Sequence, residues 1–455
     1  MARTVLAAVA AGLALVHGTP HADRLGVANG KHEAVRCGAG RDIVVADAFD
    51  RVNRDCETVS LRISVDRTTG PAQHPTEVEP SAASAGSAVV AAFQLGRYSD
   101  GAAEAIGFAS SADAGRTWRS GVLPGLTIGG PWGRVSDPVV ARDEAHGVWL
   151  VSSLALTATR NGLVVSRSGD GVAWEPPVSA DESASSLAYD KEWLICDNWV
   201  SSPRRGSCYL LWTDVVQHAI DSQVSVDGGQ TWSAPVVAAA SGAVAEPNVL
   251  PDGTIVLAYL ADDLGPITAV HSTDGGATFS APTPVSDLQF ASPAGLRTPP
   301  LPSIAVDGAG RVVLAWSDCR FRVGCSGNDP VFSASTDGLA WSAPARAATL
   351  PGAASAQITT IGAGASGRLA VGYYVVIGAT VGFRLTTSVD GGATWAPPRA
   401  LEAEPMQRSW LPITGGGLFL GDYVAIPFAA GRPLPIFALA SSARSEAIFA
   451  ATALR

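Results

Sequence analysis

Carboxylic acids recur beside proline or an aromatic residue at the start of several β-rich segments. Glu79, Asp137 and Glu246 each precede a proline, and Asp422 precedes a tyrosine. Two carboxyl groups can divide general acid and general base work when their environments separate their pKa values. If the fold brings these segments together, the pattern indicates acid–base chemistry on a bound ligand.

Cationic and phenolic side chains occur in the same segments or in the loops that follow the next strand. Arginine binds a carboxylate through two parallel hydrogen bonds, so arginines among acids favour an anionic or polyhydroxylated ligand. For each candidate, strand capping or a surface salt bridge is the competing interpretation. The further candidates are Arg97, Arg134, Asp190, Lys191, Glu192, Arg297, Asp318, Arg320, Tyr374 and Tyr423.

A polar turn that ends in an aromatic residue is repeated along the chain, with its aspartates 47 to 63 residues apart. The aspartate is expected to accept hydrogen bonds from the backbone amides ahead of it, and the glycines allow positive φ. The aromatic ring is expected to be buried beneath the turn. Each copy thus predicts a hairpin turn with a structural role. The copies are SADAGRTW (111–118), SGDGVAW (168–174), SVDGGQTW (225–232), STDGGATF (272–279), STDGLAW (335–341) and SVDGGATW (388–395).

The segments between these turns predict an all-β fold, a β-propeller of four-stranded blades. Seven inner-strand segments accompany the six turns, so we favour seven blades, with six as the alternative. The stretch ETVSLRISVD (57–66) is expected to supply a fourth strand to the last blade and close the ring. We divide the chain into a signal peptide (1–22), an N-terminal segment with the closing strand (23–70) and the propeller (71–455).

The predicted topology places all the repeated turns on one face of the propeller. The starts of the innermost strands, and the loops between second and third strands, lie on the opposite face around the central axis. We therefore expect chemistry on that opposite face, which removes the turn aspartates from the candidates.

The turns match the S-x-D-x-G-x-T-W motif of the Asp-box, or BNR, repeat, and we call them Asp-boxes below. Over nearly the whole mature chain the sequence resembles the sialidase-like propellers. It resembles in particular exported bacterial sialidase-like proteins that share DKEWLICDN, WSDCRFRVGCSGND and FLGDYVAI. The resemblance implies a secreted glycan-active protein, a glycoside hydrolase that cleaves a terminal acidic sugar.

The resemblance also implies roles for individual residues, assigned by position in the repeat. In sialidases the nucleophile is a tyrosine activated by a glutamate, a role that falls here to Tyr423 or Tyr374 with Glu246 as partner. Asp137 is the expected acid/base residue. Arg97, Arg134 and Arg320 are the expected clamp for the substrate carboxylate. The full set of expected substrate-binding residues is Glu79, Arg97, Arg134, Asp190, Lys191, Asp318, Arg320 and Asp422.

Two other function classes stay open. True exo-sialidases carry an Arg-Ile-Pro motif ahead of the first box, whereas the corresponding residues here are PTEVEP (75–80). This difference favours a non-catalytic propeller that binds carbohydrate or protein. A lyase that acts on uronic-acid polysaccharide is the third class, and it would use the same arginines with a tyrosine base.

Charge and the N-terminus restrict the partners and the compartment. The chain has 31 basic and 41 acidic residues, a net charge of −10 and a pI near 5.2, which argues against nucleic acid or an anionic membrane as the main partner. Arg3 followed by the apolar run VLAAVAAGLALV (5–16) predicts a secretory signal that is too short to span a bilayer. We expect an exported monomer with no transmembrane segment and a glycan as its ligand.

Six cysteines form three local couples: Cys37 with Cys56, Cys196 with Cys208, and Cys319 with Cys325. An even number in an exported chain favours disulfides, and the absence of a Cys-x-x-Cys spacing argues against zinc. We expect no cofactor. Calcium at DDLG (262–265), or among the acids at the starts of the inner strands, is the alternative.

Overall fold

The computed structural model describes residues 8–10, 13–261, 265–365, 367–443 and 445–453. About half of the chain, 51%, is β-strand and 1% is helical, so the all-β prediction is confirmed. Two short 3-10 helices occur, at Val323–Cys325 and Arg408–Trp410. No helix among the described residues is long and apolar enough to cross a membrane.

The N-terminal segment forms two parallel ladders of short strands, an arrangement that the sequence did not suggest. β2, β4 and β6 pair in parallel, and so do β3, β5 and β7. The Cys37–Cys56 disulfide joins the residue after β4 to the segment just before β7. The strands are β1 (Ala8–Ala10), β2 (Leu13–His17), β3 (Arg24–Gly26), β4 (Glu33–Arg36), β5 (Ile43–Ala46), β6 (Arg51–Val52) and β7 (Thr58–Arg62).

Antiparallel strands in sequence order then build the propeller. The first two groups are β8 (Gln73–Ala85), β9 (Ala88–Arg97), β10 (Ala103–Ser111), β11 (Arg119–Thr127), β12 (Arg134–Asp143), β13 (Val148–Leu156), β14 (Asn161–Ser168) and β15 (Val178–Ser183). The next two are β16 (Tyr189–Cys196), β17 (Cys208–Asp214), β18 (Ala219–Ser225), β19 (Val236–Ala239), β20 (Ala243–Val249), β21 (Ile255–Leu260), β22 (Ile267–Ser272) and β23 (Thr283–Ser286).

The C-terminal half continues the pattern and ends in a hairpin. Its strands are β24 (Leu296–Arg297), β25 (Ser303–Val306), β26 (Val312–Asp318), β27 (Asp329–Ser335), β28 (Ala345–Arg346), β29 (Ser355–Ala363), β30 (Leu369–Ile377), β31 (Thr380–Ser388), β32 (Arg399–Ala400) and β33 (Met406–Gln407). They are followed by β34 (Ile413–Thr414), β35 (Gly417–Phe419), β36 (Phe428–Ala429), β37 (Arg432–Pro433), β38 (Ile436–Ser442) and β39 (Ser445–Ala453).

Counted by hydrogen-bonded sheets, the propeller has five blades, so the expectation of seven or six was wrong. β16–β19, β20–β23, β25–β28 and β29–β33 are separate sheets, whereas β8–β15, β38 and β39 belong to one 13-stranded sheet. Single residue pairs join the parts of that sheet: Ala103 with Val135, and Thr76 with Glu446. The sequence repeat predicts these parts as separate blades, because single bridging residue pairs leave no signal in the sequence.

The N-terminal strand β7 pairs antiparallel with β39, with Arg62 opposite Phe449. This pairing lies within ETVSLRISVD, where a closing strand was expected. Closure of the ring by that strand stays a prediction. The signal peptide (1–22) also stays a prediction, and its residues 1–7 and 11–12 lie outside the described part of the chain.

The Asp-boxes have the local geometry that the sequence predicted. In the third box, Asp227 Oδ1 accepts hydrogen bonds from the amides of Gln230 and Thr231, both at 3.0 Å. The Thr231 hydroxyl donates to Asp227 Oδ2 at 2.6 Å, and the Gly229 amide donates to the Ser225 hydroxyl at 2.9 Å. Partial burial alone would raise the pKa of Asp227, but the hydrogen bonds, those from Thr231 above all, lower it to about 2.

Each box also packs against a neighbouring unit of the propeller. A Cβ atom on Gly338 would lie 2.6 Å from a methyl carbon of Val256, and one on Gly115 would lie 2.8 Å from Leu434. The first box therefore contacts the C-terminal part of the chain. The box aromatics are half-buried, which corrects the expectation that they are buried. Each packs against a different hydrophobic cluster. These aromatic residues are Trp118, Trp174, Trp232, Phe279, Trp341 and Trp395.

All three predicted disulfides are present: Cys37–Cys56, Cys196–Cys208 and Cys319–Cys325. The second joins neighbouring strands, since Cys196 and Cys208 are partners in the β16–β17 ladder. The third closes the short loop that follows β26.

Candidate functional site

Three neighbouring strands, β8, β12 and β16, carry a β-bulge at the same level. The first bulged residue of each is left-handed: Glu79 has φ 55°, Asp137 has φ 50° and Lys191 has φ 51°. This region is uncommon for residues other than glycine, and such strain occurs preferentially at functional sites. Thus the bulges place three charged side chains at equivalent positions in the first half of the propeller.

Lys191 is the centre of a buried charge cluster. Its Nζ lies 2.7 Å from Asp422 Oδ2, 3.6 Å from Glu79 Oε1 and 3.8 Å from Asp137 Oδ2. It also lies 5.1 Å from the centre of the Tyr423 ring, within reach of a cation–π interaction. Burial alone would lower the pKa of Lys191, but the three carboxylates, Asp137 first, raise it above its usual value.

Glu79 is the carboxyl group of this cluster with a raised pKa. It is 1% exposed, its Oε2 accepts a hydrogen bond from the Gln94 amide group, and its Oε1 accepts one from the Asp422 backbone amide at 3.2 Å. Burial raises the pKa of Glu79 to about 7, an effect that Lys191 opposes and Asp137 reinforces. Glu79 can therefore hold a proton near neutral pH.

Asp422 has the opposite electrostatic character, although it is equally buried. Arg297 Nη2 donates to Asp422 Oδ2 at 2.9 Å, on the same oxygen that Lys191 contacts. Burial alone would raise the pKa of Asp422, but Lys191 and then Arg297 lower it below its usual value. Glu79 and Asp422 are thus neighbouring carboxyl groups with separated pKa values, as acid–base chemistry requires.

Two arginines share one aromatic platform beside this cluster. The guanidinium carbon of Arg97 lies 5.0 Å from the centre of the Phe419 ring, and that of Arg297 lies 4.6 Å from it. Phe419 is fully buried, and its strand β35 pairs in parallel with β24, in which Arg297 is its partner. Arg297 Nη1 is a buried nitrogen with no hydrogen-bond partner among the described residues.

These residues surround a cavity of about 470 Å³. A volume of this order accommodates a small ligand. Asp137 is held there by hydrogen bonds, since its Oδ1 accepts from the Ser136 hydroxyl at 2.7 Å and from Gln94 Nε2 at 3.5 Å. The ionisable side chains that line the cavity are Glu79, Arg97, Asp100, Arg134, Asp137, Tyr189, Asp190, Lys191, Arg297 and Asp422.

Arg134 and Asp190 lie toward the solvent side of the cavity. Arg134 Nη1 is 2.7 Å from Asp100 Oδ1, and its guanidinium carbon lies 4.0 Å from the centre of the Tyr98 ring. The Arg134 side chain is 37% exposed, and Asp190 is also exposed. Eight of the residues predicted from the sequence therefore converge on one cavity: Glu79, Arg97, Arg134, Asp137, Asp190, Lys191, Arg297 and Asp422.

Other predicted residues lie elsewhere. Glu246 Oε2 accepts a hydrogen bond from the Ile304 backbone amide at 3.1 Å, so the side chain joins β20 to the next inner strand, β25. Burial raises the pKa of Glu246 to about 8. Asp318 and Arg320 form a bidentate ion pair at 2.9 and 2.8 Å, and Arg320 also donates to the Ser286 hydroxyl. Neither group lines the cavity.

The two predicted nucleophile tyrosines are both buried. The Tyr374 hydroxyl donates to the Ala438 carbonyl at 2.9 Å within a hydrophobic cluster. The Tyr423 hydroxyl donates to the Pro138 carbonyl at 3.4 Å, and its ring packs edge-on against Trp193 beside Lys191. Burial raises the pKa of both tyrosines well above the usual value, which disfavours the phenolate form that a nucleophile needs.

Gln94, Ser136 and Phe419 were not among the residues predicted from the sequence. The signal for Gln94 was its place near the end of an apolar strand, at a position where alternation points the side chain toward the axis. Glu192, which was among them, is 1% exposed, and neither of its carboxyl oxygens has a hydrogen-bond partner among the described residues. Burial raises the pKa of Glu192 well above its usual value, reinforced by Asp137.

Calcium binding stays a prediction. Of the DDLG stretch, residues 262–264 lie outside the described part of the chain. Among the inner-strand acids, Glu79, Asp137 and Asp422 already lie within 4 Å of Lys191 Nζ. The cluster as described is therefore balanced by side-chain cations.

A family model described as the BNR/Asp-box repeat matches residues 223–234, which contain the third box. No curated protein sequence matches the chain. The match covers one copy of the turn, and the other boxes repeat its sequence and, in the structure, its hydrogen bonds.

Several solved structures are similar to this chain at low sequence identity. An ulvan lyase of a new polysaccharide lyase family, bound to -[GlcA(1-4)Rha3S]-, has a TM-score of 0.52 and 12% identity, with 86% of this chain and 95% of that chain covered. A protein of unknown function from Dyadobacter fermentans has a TM-score of 0.47 and 18% identity, with 70% and 94% covered. Trypanosoma rangeli sialidase in complex with sialic acid has a TM-score of 0.46 and 13% identity, with 74% and 59% covered. By its sheets and its repeated turns, the chain is a β-propeller with BNR/Asp-box repeats.

Proposed function

We propose that the protein is a glycan-active enzyme, a glycoside hydrolase that releases a terminal acidic sugar in the cavity around Lys191. The observation that carries this proposal is the pairing of two neighbouring buried carboxyl groups, Glu79 and Asp422, whose pKa values are shifted in opposite directions. Such separation lets one group donate a proton while the other stays ionised.

The arginines of the cavity supply recognition of the acidic group. Arg297 Nη1 has no hydrogen-bond partner in the described part of the chain, and Arg134 is partly open to solvent, so both can donate to a ligand carboxylate. Arg97 is 7% exposed and shares the Phe419 platform with Arg297, which fixes the direction of both guanidinium groups. An acidic sugar bound here would meet both cations and carboxyl groups.

The proton-transfer roles follow from the same geometry. We assign Glu79 as the general acid that protonates the leaving oxygen, because its pKa of about 7 keeps it protonated up to neutral pH. We assign Asp137 as the nucleophile or base. Gln94 Nε2 contacts both carboxyl groups, which fixes one relative to the other. Lys191 and Arg297 hold Asp422 ionised, so that it contributes electrostatic stabilisation.

Lysis of a uronic-acid polysaccharide is supported less well than hydrolysis. A lyase would need a tyrosine base at the cavity, where Tyr189 is the tyrosine that lines it. The Tyr189 hydroxyl donates to Asp181 Oδ2 at 2.9 Å, and burial together with that acid raises the pKa of Tyr189. Both effects disfavour the phenolate.

A substrate screen tests the proposal. Purified protein is incubated with fluorogenic α-sialosides and β-glucuronides and with uronic-acid polymers, and free sugar and unsaturated product are measured separately. Release of the fluorophore from an acidic glycoside, with none from the matched neutral glucoside, is the expected result. Unsaturated product would move the protein to the lyase class. Calorimetric binding without turnover would make it a non-catalytic binding propeller.

We also propose that the protein is exported and acts as a monomer. The three disulfides fit an oxidising compartment, where such bonds persist. Expression of the full-length gene with a C-terminal tag, followed by N-terminal sequencing of the protein in the medium, tests export and locates any cleavage near residue 22. Light scattering of the same material tests the oligomeric state.

A further inference from the structure

The cavity has a second wall that the proposed chemistry does not use. This wall is aliphatic, and its residues line the same cavity as Arg134 and Lys191. Its members are Leu154, Leu156, Leu187 and Val215. Two of them, Leu187 and Val215, are among the exposed large hydrophobic residues of the molecule.

The two most exposed aliphatic residues lie nearer the solvent than the innermost charged ones. Asp137 and Lys191 are 5% and 9% exposed, whereas Leu187 is 72% exposed and Val215 is 39% exposed. A ligand whose acidic group is bound by Arg297, beside this buried cluster, would extend toward the solvent, where Leu187 and Val215 line the same cavity. In a glycoside bound this way, the outer portion is the group to which the sugar is attached.

Backbone hydrogen bonds hold the aliphatic rim in place. The Val215 amide donates to the Ala188 carbonyl at 2.8 Å, which joins the segments that carry Val215 and Leu187. Asp214 Oδ1 accepts the amides of Val216 at 2.9 Å and Gln217 at 2.8 Å and so closes the turn. The rim is thus preformed, and a ligand that covers it loses little affinity to ordering.

The chemistry of the rim selects the outer group of the ligand. An apolar group that covers exposed aliphatic carbon removes it from water, which is favourable. A hydroxyl-rich sugar in the same place would leave some of its own polar groups unpaired against the aliphatic surface. We infer that the acidic sugar is bound as the glycoside of an apolar aglycone, an alkyl or aryl group that covers Leu187 and Val215. This inference rests on the proposed function and names the class of acidic glycoside.

Matched glycosides test the inference by calorimetry, each below its critical micelle concentration. The probes are the methyl and octyl glycosides of glucuronic acid and of N-acetylneuraminic acid, with octyl glucoside as the neutral comparison. We expect the octyl form of the acidic sugar that binds to have a Kd about tenfold below the methyl form. In the double variant Leu187→Ser/Val215→Ser this ratio should fall to about one, while the Kd of the methyl glycoside stays unchanged. Val200→Ser, at a residue that is 84% exposed and does not line the cavity, should keep the tenfold ratio.

The outcomes separate this inference from the proposed function. Binding of the methyl glycosides with an octyl ratio near one, or a ratio that survives in the double variant, overturns the aglycone inference and leaves the proposed function standing. Octyl glucoside bound as tightly as the acidic octyl glycosides, and weakened by the double variant, supports the apolar rim and contradicts the acidic-sugar function. No binding of any probe contradicts both.

Discussion

At the scale of single residues, the raised pKa of Glu79 makes a kinetic prediction. If Glu79 is the general acid, kcat/KM should fall above pH 7 as that carboxyl group ionises. Glu79→Gln keeps the shape and loses the proton, so we expect a rate about 10²- to 10⁴-fold lower, with no decline near pH 7. The pH profile of kcat/KM on the substrate found in the screen measures both effects.

The matched control for that variant is Glu144→Gln, because Glu144 is exposed and does not line the cavity. Its profile should match the wild type. A Glu79→Gln enzyme with an unchanged alkaline decline would show that another group is the acid.

Arg297 is expected to recognise the acidic group of the ligand. Arg297→Ala should raise KM or Kd for the acidic glycoside about thirtyfold. This factor corresponds to the lower end of the free-energy range for truncating one partner of a buried charge pair. The lower end applies because the Arg297 side chain is 33% exposed. Arg297→Lys keeps the charge and loses the two-pronged geometry, so it should restore part of the affinity. Arg116→Ala, in an exposed box turn, should change nothing. Equal loss with acidic and neutral glycosides would argue against carboxylate recognition.

Arg320, by contrast, is expected to matter for stability. Its Nε and Nη2 donate to the two oxygens of the buried Asp318 side chain and leave few donors for a ligand. Arg320→Ala should leave ligand affinity unchanged and lower the unfolding free energy by about 2 kcal/mol, because Asp318 loses its counter-charge. Urea unfolding and calorimetry on the same sample test the two parts. A loss of affinity without a loss of stability would return Arg320 to the binding site.

At the scale of structural elements, the boxes should stabilise the protein through contact with the neighbouring unit. Gly338→Ala adds a Cβ 2.6 Å from Val256 at a residue with φ +74°, so it combines backbone strain with a clash. Gly86→Ala has similar strain, with φ +62°, but no atom within 4 Å. We expect Gly338→Ala to cost about 1–3 kcal/mol more than Gly86→Ala in urea unfolding. Equal costs would show that the box does not pack on its neighbour.

The elements show which parts of the fold the sequence could predict. The boxes were predictable because serine, aspartate, glycine and threonine within eight residues determine the turn through their own hydrogen bonds. Blade number was not, because single residue pairs between units decide which sheets merge. The N-terminal parallel ladders were missed because strands of two to five residues are too short to show a period.

The candidate site shows the same division. Residues at the bulges of β8, β12 and β16 line one cavity, because these three strands carry their bulges at the same level. Tyr374 does not line it, since its side chain on β30 lies in a hydrophobic cluster, where its hydroxyl donates to the Ala438 carbonyl. Arg320 lies apart from the cavity, and a sequence does not show that Asp318 takes up its donors.

At the scale of the whole molecule, the buried glutamates should reverse the usual dependence of stability on pH. In the folded state burial raises the pKa of Glu77 and Glu79 to about 7 and that of Glu246 to about 8, from 4.5. Between pH 4.5 and 8 the folded protein therefore binds more protons than the unfolded chain, and the unfolding free energy should fall as pH rises. The box aspartates affect stability at lower pH. Those with a folded-state pKa of about 2 lose their contribution to the unfolding free energy only as pH falls from 3.8 through 2.

Together these groups place the maximum of stability near pH 4–5. Glu246 is the best single test, because it lies apart from the charge cluster and its Ile304 hydrogen bond can be kept by a glutamine oxygen. Each titrating group contributes up to about 1.4 kcal/mol per pH unit, so Glu246→Gln should visibly flatten the decline between pH 5 and 8. Urea unfolding at pH 5, 6, 7 and 8 measures the slope, with Glu144→Gln as the variant that should keep it. A wild-type protein that becomes more stable over this range would show that the buried glutamates are ionised in the fold, and the same result would remove the basis for Glu79 as a general acid.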